Sequence, residues 1–227
     1  TYKNEILNQI KESKLGAKKY VYSDLNFILL QQIVEKKFNK PLDVALYQYF
    51  IEPMGLQSLR YNPQQYFDVS KIAPTEIDNY FRYTKIQGYV HDMGAAMLGG
   101  VAGHAGLFGN AYDVAQFMQM FLDKGTFKGK KILNAKTIDA FNVCFYCSSG
   151  NRRGAGFDKP KIGNAAGPTC RREYSDRFGH TGFTGTMVWA DPAHDLVYVF
   201  LSNRTYPNAD VNRLSRANIR EDIQQII

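Results

Sequence analysis

The feature that most constrains the fold is a pair of apolar segments near the carboxyl end of the chain. "TMVWA" (186–190) and "LVYVFLSN" (196–203) both have the length and composition of strands, and only "DPAHD" separates them. A connection this short lets two strands pair only in antiparallel fashion. The run "LVYVFL" is apolar at every position, which indicates that both of its faces are covered. We therefore expect an antiparallel sheet with other elements packed on both sides.

Helical periodicity supplies candidates for those packed elements. Apolar residues recur at helical spacing in residues 2–12, in "LNFILLQQIVEKKF" and after Asn110, where Asn110 and Asp113 together resemble a capping box. Pro41 is a favoured first-turn residue of a further helix. A last helix should span roughly 208–225.

These patterns predict an α+β fold of the α/β-sandwich kind, an antiparallel sheet flanked by helices. Residues 1–227 should form a single domain, in which 57–140 are a mostly helical or irregular insertion. Residues 150–227 should supply the strands of the sheet, with "RRGAGFD" as one of them, and the carboxyl-terminal helix.

Composition and charge exclude several classes of protein. The 227 residues carry 28 Lys and Arg against 21 Asp and Glu, a net charge of +7, but the basic residues are scattered and form no nucleic-acid recognition module. We therefore expect no nucleic-acid partner. No apolar run approaches the ~20 residues that a membrane-spanning helix needs, so we expect no membrane span.

The cysteines and histidines raise the question of a metal site. Cys144 and Cys147 have the spacing of a metal or redox pair, but no second pair accompanies them, and the nearest further ligand is His180. Structural cysteines or one local disulfide explain them better, and Cys170 makes the set odd. His91 is best explained as a loop residue with local hydrogen bonds. We expect neither a metal nor a cofactor.

Two short polar motifs have the composition of a catalytic site. Tyr22-Ser23-Asp24 stands at the start of a predicted helix, and His180-Thr181-Gly182 at the start of a predicted strand. A helix cap or a turn would explain either motif alone. A glycine-rich stretch, "GGVAGHAGLFGN", lies between them in the sequence. Its His104 either packs beneath a cleft or lines it.

In the order of these motifs the chain resembles the superfamily of serine β-lactamases and penicillin-binding proteins, in its class C-like branch. Tyr22-Ser23-Asp24 is similar to the Tyr-x-Asn element of that superfamily, and His180-Thr181-Gly182 is similar to its Lys-Thr-Gly element. The series "YSDL", "PTE", "VHD", "GGVAGHAGLF", "RRG.GFD" and "GHTGFTGT…WADP" most resembles the β-lactamase-like domains fused behind family 3 glycoside hydrolases in Bacteroidetes. The resemblance covers nearly the whole chain.

The resemblance implies a β-lactamase/transpeptidase-like fold and a serine hydrolase that works through an acyl-enzyme. Tyr22 would shuttle protons, and Asp24 would replace the usual Asn. His180 would support the Tyr22 phenolate or bind a substrate carboxylate. The substrate-binding residues that the resemblance implies are Ser23, Thr181, Gly182 and Phe183. Tyr22 and His180 should then converge on one groove.

Further expectations follow from the same resemblance. The backbone N–H of Phe183 would be one oxyanion donor. The substrate would be a small molecule or a peptide, bound without a cofactor. The resemblance places the protein in the periplasm or elsewhere outside the cytoplasm.

The nucleophile of the superfamily is missing from this sequence. It belongs to a Ser-x-x-Lys element upstream of Tyr-x-Asn, and no Ser of the chain has Lys at the third position after it. We therefore expect the chain to be the C-terminal portion of such a domain and to be inactive by itself. It should either self-associate through exposed apolar surface or have a rearranged terminus. One alternative is a non-catalytic binding or scaffold module attached to a glycosidase. Another is a cysteine-dependent metal or redox protein.

Overall fold

The structure is a computed structural model that describes residues 2–160, 169 and 176–227. The chain divides into two compact units, of which the first ends at Phe108 and the second begins at Gly109. Within the described ranges, no helix has the length and apolar character needed to cross a membrane.

The first unit is built mainly from helices packed around a small apolar core. The helices are α1 Lys3–Glu12, α2 Leu25–Phe38, α3 Leu42–Leu46, α4 Glu52–Met54 and α5 Met93–Met97. Ile28 of α2 and Ala95 of α5 belong to one buried cluster, and Ile6 and Ile10 of α1 pack against it. The helical periodicity found around residues 2–12 and 25–38 is thus confirmed.

The helix expected after Pro41 continues to Gly55 through a change of winding. A π-helical turn, Tyr47–Ile51, joins α3 to α4. Pro53 is the second residue of α4 and directly follows the π-helical turn. Gly55 then ends the segment with a left-handed backbone (φ 67°), which glycine adopts most easily.

Short antiparallel pairs complete the first unit. The strands are β1 Arg60–Tyr61, β2 Pro74–Asp78, β3 Thr84–Gln87 and β4 Leu107–Phe108, with β1 paired to β4 and β2 to β3. Asp78 closes the β2–β3 hairpin by accepting the backbone N–H groups of Tyr80, Phe81 and Arg82 at 3.0, 2.8 and 3.1 Å. Burial raises the pKa of the Asp78 carboxyl, but these hydrogen bonds outweigh it and lower the pKa to about 2.

The second unit contains an antiparallel sheet with helices on both faces. Its helices are α6 Ala111–Leu122, α7 Ala135–Phe141, α8 Arg213–Arg216 and α9 Ile219–Ile226. Its strands are β5 Thr126–Phe127 and β6 Lys130–Lys131, which form a small hairpin, and β7 Phe178–Thr181, β8 Met187–Asp191 and β9 Leu196–Phe200, which form the sheet in that order. Asn110 caps α6 by accepting the N–H of Asp113 at 2.8 Å, which confirms the capping signal.

Successive side chains of the strands point to opposite faces of the sheet, and both faces are covered by helices. On one face, Phe178 and Ala190 pack with Met118 of α6. On the other face, Tyr198 is buried and its hydroxyl donates to the carbonyl oxygen of Arg220 in α9 at 3.1 Å. The α+β fold and the antiparallel hairpin expected from the sequence are confirmed.

Two local expectations are wrong. "RRGAGFD" is not a strand, because the chain bends at Gly156 (φ 119°), and within 152–158 only Asp158 bridges to Gly179 of β7. The carboxyl-terminal helix is two helices, because Asn218 adopts a left-handed backbone (φ 55°) between α8 and α9.

The cysteine pair forms a local disulfide. The sulfur atoms of Cys144 and Cys147 are bonded to each other, so neither thiolate is available to bind a metal ion in this state. This confirms one of the two interpretations favoured by the sequence. Cys170 lies outside the described residues.

Candidate active site

The His-Thr-Gly motif lies at the end of β7, beside the bend that carries "RRGAGFD". His180 pairs across the sheet with Val188 of β8. On the other side of β7, Gly179 exchanges two backbone hydrogen bonds with Asp158, at 2.8 and 3.2 Å. A side chain at position 179 would meet the carbonyl oxygen of Val188 at 2.1 Å, so this close approach requires glycine.

Arg153 reaches the His180 ring from that bend. Its Nη1 lies 2.8 Å from Nε2 of His180, while Nδ1 of His180 lies 2.7 Å from the carbonyl oxygen of Thr181. Sequence reasoning missed Arg153 as a site residue. The signal that could have found it is the "RRG.GFD" element, which accompanies "GHTG" in the resemblance.

A buried carboxylate holds Arg153 and its neighbour Arg152. Asp158 is 2% exposed, and its Oδ2 lies 2.8 Å from Nη2 of Arg152 and 3.5 Å from Nη2 of Arg153. Its Oδ1 accepts the N–H of Lys159 at 3.0 Å. A carboxylate this deeply buried requires such partners, so the ion pairs hold the two ends of the bend together. The backbone bridge between Asp158 and Gly179 attaches the bend to β7.

Gly182 and Phe183 begin the tight turn between β7 and β8. The N–H of Gly182 donates to the carbonyl oxygen of Thr186 at 2.8 Å. The guanidinium carbon of Arg204 lies 4.3 Å from the centre of the Phe183 ring, and Nε of Arg204 donates to the Phe183 carbonyl oxygen at 2.7 Å. No sequence pattern predicts this role of Arg204. Phe183 is 65% exposed, so the turn presents an aromatic side chain at the surface.

Tyr22-Ser23-Asp24 stands directly before α2, as its sequence predicts. Tyr22 is 59% exposed. The hydroxyl oxygen of Ser23 accepts the N–H of Leu25 at 3.2 Å. Asp24 occupies the capping position of α2, yet within the described residues its carboxylate does not cap the helix.

Asp92 and His104 are joined by a hydrogen bond close to this motif. Nε2 of His104 lies 2.8 Å from Oδ1 of Asp92, and the same oxygen accepts the N–H of Ala95 in α5 at 2.7 Å. The bond from His104 is the main cause that lowers the pKa of Asp92, and partial burial acts against it. Ligand-type atoms of Asp24, Asp92 and His104 all lie within 4.8 Å of one another. The Tyr-Ser-Asp segment and the glycine-rich stretch therefore meet here.

These three side chains fit a hydrogen-bonded cluster better than a metal site. The side chain of His104 is 4% exposed, and among the described residues its buried Nδ1 has no hydrogen-bond partner. A metal-bound histidine normally donates its second ring N–H to an acceptor. Asp92 also directs one carboxylate oxygen to two donors already.

Gln31 of α2 holds the glycine-rich stretch in place. Its amide donates to the carbonyl oxygen of Val101 at 3.1 Å and accepts the N–H of Gly103 at 3.0 Å. A side chain at position 103 would meet the carbonyl oxygen of Phe27 at 2.2 Å. The helix that follows Tyr22-Ser23-Asp24 thus positions the loop that carries His104. Sequence reasoning missed Gln31, because a lone glutamine on a helix carries no pattern.

The proposed site residues divide between the two units. Tyr22, Ser23 and Asp24 lie in the first unit, next to Asp92 and His104. The residues of the His-Thr-Gly segment lie in the second unit: His180, Thr181, Gly182 and Phe183. That Tyr22 and His180 serve one groove stays a prediction.

The His91 side chain is hydrogen-bonded, but to a residue of β2 that lies 15 positions earlier and not to a near neighbour in the loop. Its Nε2 lies 2.7 Å from Oε2 of Glu76, and the same oxygen accepts the hydroxyl of Tyr80 at 3.0 Å.

Known structures first define the class of fold. A beta-lactamase from Mycobacterium bovis superimposes on 91% of this chain and 62% of its own with a TM-score of 0.60 and 18% identity. EstCE1, a hydrolase with promiscuous acyltransferase activity, does so over 88% of this chain and 56% of its own, with a TM-score of 0.64 and 20% identity. These proteins share the β-lactamase-like α+β fold.

Sequence comparison then identifies the family. The chain belongs to the Beta-lactamase family, whose profile matches residues 3–221. The N-acetylmuramyl-L-alanine amidase of Bacillus subtilis (strain 168) is 34% identical over 219 residues, which are 89% of this chain and 48% of that protein. The chain spans about half the length of the curated relatives that it matches.

Proposed function

We propose that this chain is part of a serine hydrolase that cleaves an amide, peptide or ester through an acyl-enzyme. The observation that carries the proposal is the position of His180-Thr181-Gly182 at the end of β7, in a chain that belongs to the Beta-lactamase family. An accessible strand end of this kind can align a substrate backbone beside polar side chains.

Each site residue has a role in this proposal. Tyr22 shuttles protons, which requires cationic neighbours because a phenol has a pKa of about 10. Asp24 stands where an Asn would donate to the substrate, and an ionised carboxylate only accepts hydrogen bonds. Thr181 offers its hydroxyl to the substrate, and the N–H of Phe183 stabilises the oxyanion. Ser23 and Gly182 bind the substrate.

The substrate class that we favour is a peptide derived from the bacterial cell wall. The Bacillus subtilis relative is named for cleavage at N-acetylmuramyl-L-alanine, which supports an amide bond in such material. The Cys144–Cys147 disulfide supports an oxidising compartment, since disulfides persist outside the cytoplasm. We therefore place the protein in the periplasm or elsewhere outside the cytoplasm.

The serine and lysine of the reaction are supplied, in this proposal, outside the 227 residues. No Ser-x-x-Lys occurs within them, so they form no acyl-enzyme by themselves. A full-length protein that also carries a family 3 glycoside hydrolase fits the resemblance of the motifs.

Exposed apolar residues of α2, among them Leu30 (50%) and Ile33 (60%), support self-association of the chain. Light scattering would detect this self-association as a dimer or a larger species.

Covalent labelling tests the proposal. Intact-mass measurement with a fluorophosphonate should find no adduct on this chain and one adduct on the full-length protein. Tyr22→Phe should slow labelling of the full-length protein by about a hundredfold, because it removes the proton shuttle. Tyr20→Phe, on an exposed neighbouring tyrosine, is the matched control. An adduct on this chain would refute its inactivity, and an unreactive full-length protein would refute the hydrolase.

A second candidate function is a non-catalytic binding or scaffold module beside a glycosidase. The observation that favours it is the departure of Asp24 and His180 from the usual Asn and Lys. An unreactive full-length protein that lacks Ser-x-x-Lys upstream of residue 1 would support this module instead.

A further inference from the structure

The two ring nitrogens of His180 face partners of opposite hydrogen-bonding character. Nε2 lies 2.8 Å from a guanidinium nitrogen of Arg153. Nδ1 lies 2.7 Å from the carbonyl oxygen of Thr181. A guanidinium group has only donors and stays charged at any accessible pH, whereas a carbonyl oxygen only accepts.

These partners define the protonation state of the ring. Nε2 has to accept the hydrogen bond from Arg153, so it carries no proton. Nδ1 has to donate to Thr181, so it carries the ring proton. These two contacts together fit a neutral ring in the Nδ1–H form and not a cation such as a lysine at the same position of the motif.

The positive charge of this cluster resides on the arginines. Two guanidinium groups, those of Arg152 and Arg153, contact one carboxylate, that of Asp158. The backbone bridge from Asp158 to Gly179 sets this bend beside β7, so that Arg153 meets the residue next to Gly179. The fold thus supplies a permanent cation at the strand end from a distant part of the sequence.

We infer that Arg153 is a positioning residue of the proposed hydrolase site. It holds His180 neutral and in the Nδ1–H form, and it places a guanidinium group beside the His-Thr-Gly motif. The role in a hydrolase rests on the proposed function, whereas the state of the ring does not.

Nitrogen-15 NMR of the chain measures the state of the ring directly. Two-bond proton–nitrogen spectra at about pH 8 distinguish the two neutral tautomers of each of the 4 histidines, and His180→Gln assigns the signal. We expect Nδ1 of His180 to show the shift of a protonated nitrogen and Nε2 that of an unprotonated one. A protonated Nε2 in the unaltered chain would overturn the inference, and the variant serves only to assign the signal.

Substitutions then separate positioning from mere packing. Arg153→Met should change His180 from mainly Nδ1–H to mainly Nε2–H, because Nε2 loses its donor. Arg153→Lys should restore the Nδ1–H form, since an ammonium group also donates. Arg152→Met, which removes the other arginine on Asp158, should leave the His180 spectrum unchanged. The inference fails if Arg153→Met leaves the tautomer unchanged or if Arg152→Met changes it equally.

Fluorophosphonate labelling of the full-length protein measures the role of Arg153 in catalysis separately. Arg153→Met should lower the rate of fluorophosphonate labelling by about a hundredfold, with partial rescue by Arg153→Lys. Full reactivity of Arg153→Met would refute the positioning role. If the unaltered full-length protein is itself unreactive, the proposed function fails, while the tautomer result still decides the state of His180.

Discussion

Two stretches of this chain look almost alike in sequence and differ in their electrostatic surroundings. Gly103-His104-Ala105-Gly106 lies in the first unit and Gly179-His180-Thr181-Gly182 in the second. Nε2 of His104 faces the carboxylate of Asp92 at 2.8 Å. Nε2 of His180 faces the guanidinium of Arg153, also at 2.8 Å. The first partner favours a ring that donates from Nε2, and the second requires a ring that accepts there.

The difference shows that a short motif does not determine the chemical state of its histidine. Asp92 precedes His104 by 12 positions and is placed by its role as the cap of α5. Arg153 precedes His180 by 27 positions and is placed by the bridge between Asp158 and Gly179. The partner, and with it the protonation, is set by tertiary structure.

What the two stretches share is a first glycine that another backbone touches. The nearest atom to a side chain at position 103 would be the carbonyl oxygen of Phe27, at 2.2 Å. At position 179 it would be that of Val188, at 2.1 Å. The glycines therefore allow close backbone packing in both stretches, and the stretches differ in the hydrogen-bond partners of their histidines.

The largest expected effect comes from adding a methyl group at one of these two glycines, where another backbone segment lies too close to leave room for it. Gly179→Ala should cost about 3 kcal/mol of unfolding free energy, because the carbonyl of Val188 must move and the β7–β8 pairing with it. Gly103→Ala should cost a similar amount in the first unit. Gly16→Ala, where no atom lies within 4 Å of the new methyl group, should change stability by less than about 0.5 kcal/mol. Urea denaturation measures all three, and equal stability of Gly179→Ala and Gly16→Ala would contradict the role of the glycine.

Local patterns predicted the parts of the fold whose partners are close in sequence. The β8–β9 hairpin follows from two apolar runs and a short connection, and the cap of α6 from Asn110 and Asp113. In each case the hydrogen-bond partner is a neighbour along the chain, so composition and spacing suffice.

Sequence reasoning missed the contacts that join distant segments at the candidate site. Gln31 binds Val101 and Gly103, which follow it by 70 and 72 positions. Arg153 and Arg204 contact the His-Thr-Gly segment from opposite directions along the chain. Gln31 and Arg204 are single polar residues without periodicity, and their partners are fixed only when the backbone folds, so no pattern could reveal their contacts. For Arg153 the "RRG.GFD" element was the one available signal.

The next prediction concerns the positive charge around the second motif, His180-Thr181-Gly182. Lys159, next to Asp158, is buried with its Nζ 5.6 Å from the centre of the Phe178 ring. Burial lowers the pKa of Lys159 to about 8, nearby Lys124 acts in the same direction, and Asp176 acts against them. Lys159→Met should stabilise the chain at pH 7 by about 2 kcal/mol, because it removes a charge that is costly to bury.

The gain from Lys159→Met should depend on pH in one direction. Between about 8 and 10.5 the unfolded chain binds a proton that the folded chain has lost, so the unaltered chain becomes more stable as the pH rises. The advantage of the variant should therefore be full below about pH 8 and absent above about 10.5. Denaturation at pH 7 and pH 10.5 measures this. Lys136→Met, on an exposed lysine, should show no such change, and a pH-independent gain would show that Lys159 is not charged at pH 7.

The smallest effect concerns the carboxylate that faces the first histidine. The folded-state pKa of Asp92 lies below 3.8, chiefly because of the bond from His104, so its stabilisation is present above about pH 4 and is lost as the pH falls through the lowered value. Asp92→Asn keeps a side chain that caps α5 but removes the charge. It should lower the free energy of unfolding by about 0.5 kcal/mol at pH 6 and leave it unchanged in strong acid.

His104→Gln should lower the free energy of unfolding by a similar amount. The double variant should lose no more than either single variant, because both changes break the same contact. If the losses of the two single variants in urea denaturation simply add, the hydrogen bond between His104 and Asp92 contributes no stability. The electrostatic difference between the two glycine-flanked histidines then rests on the Arg153–His180 contact alone.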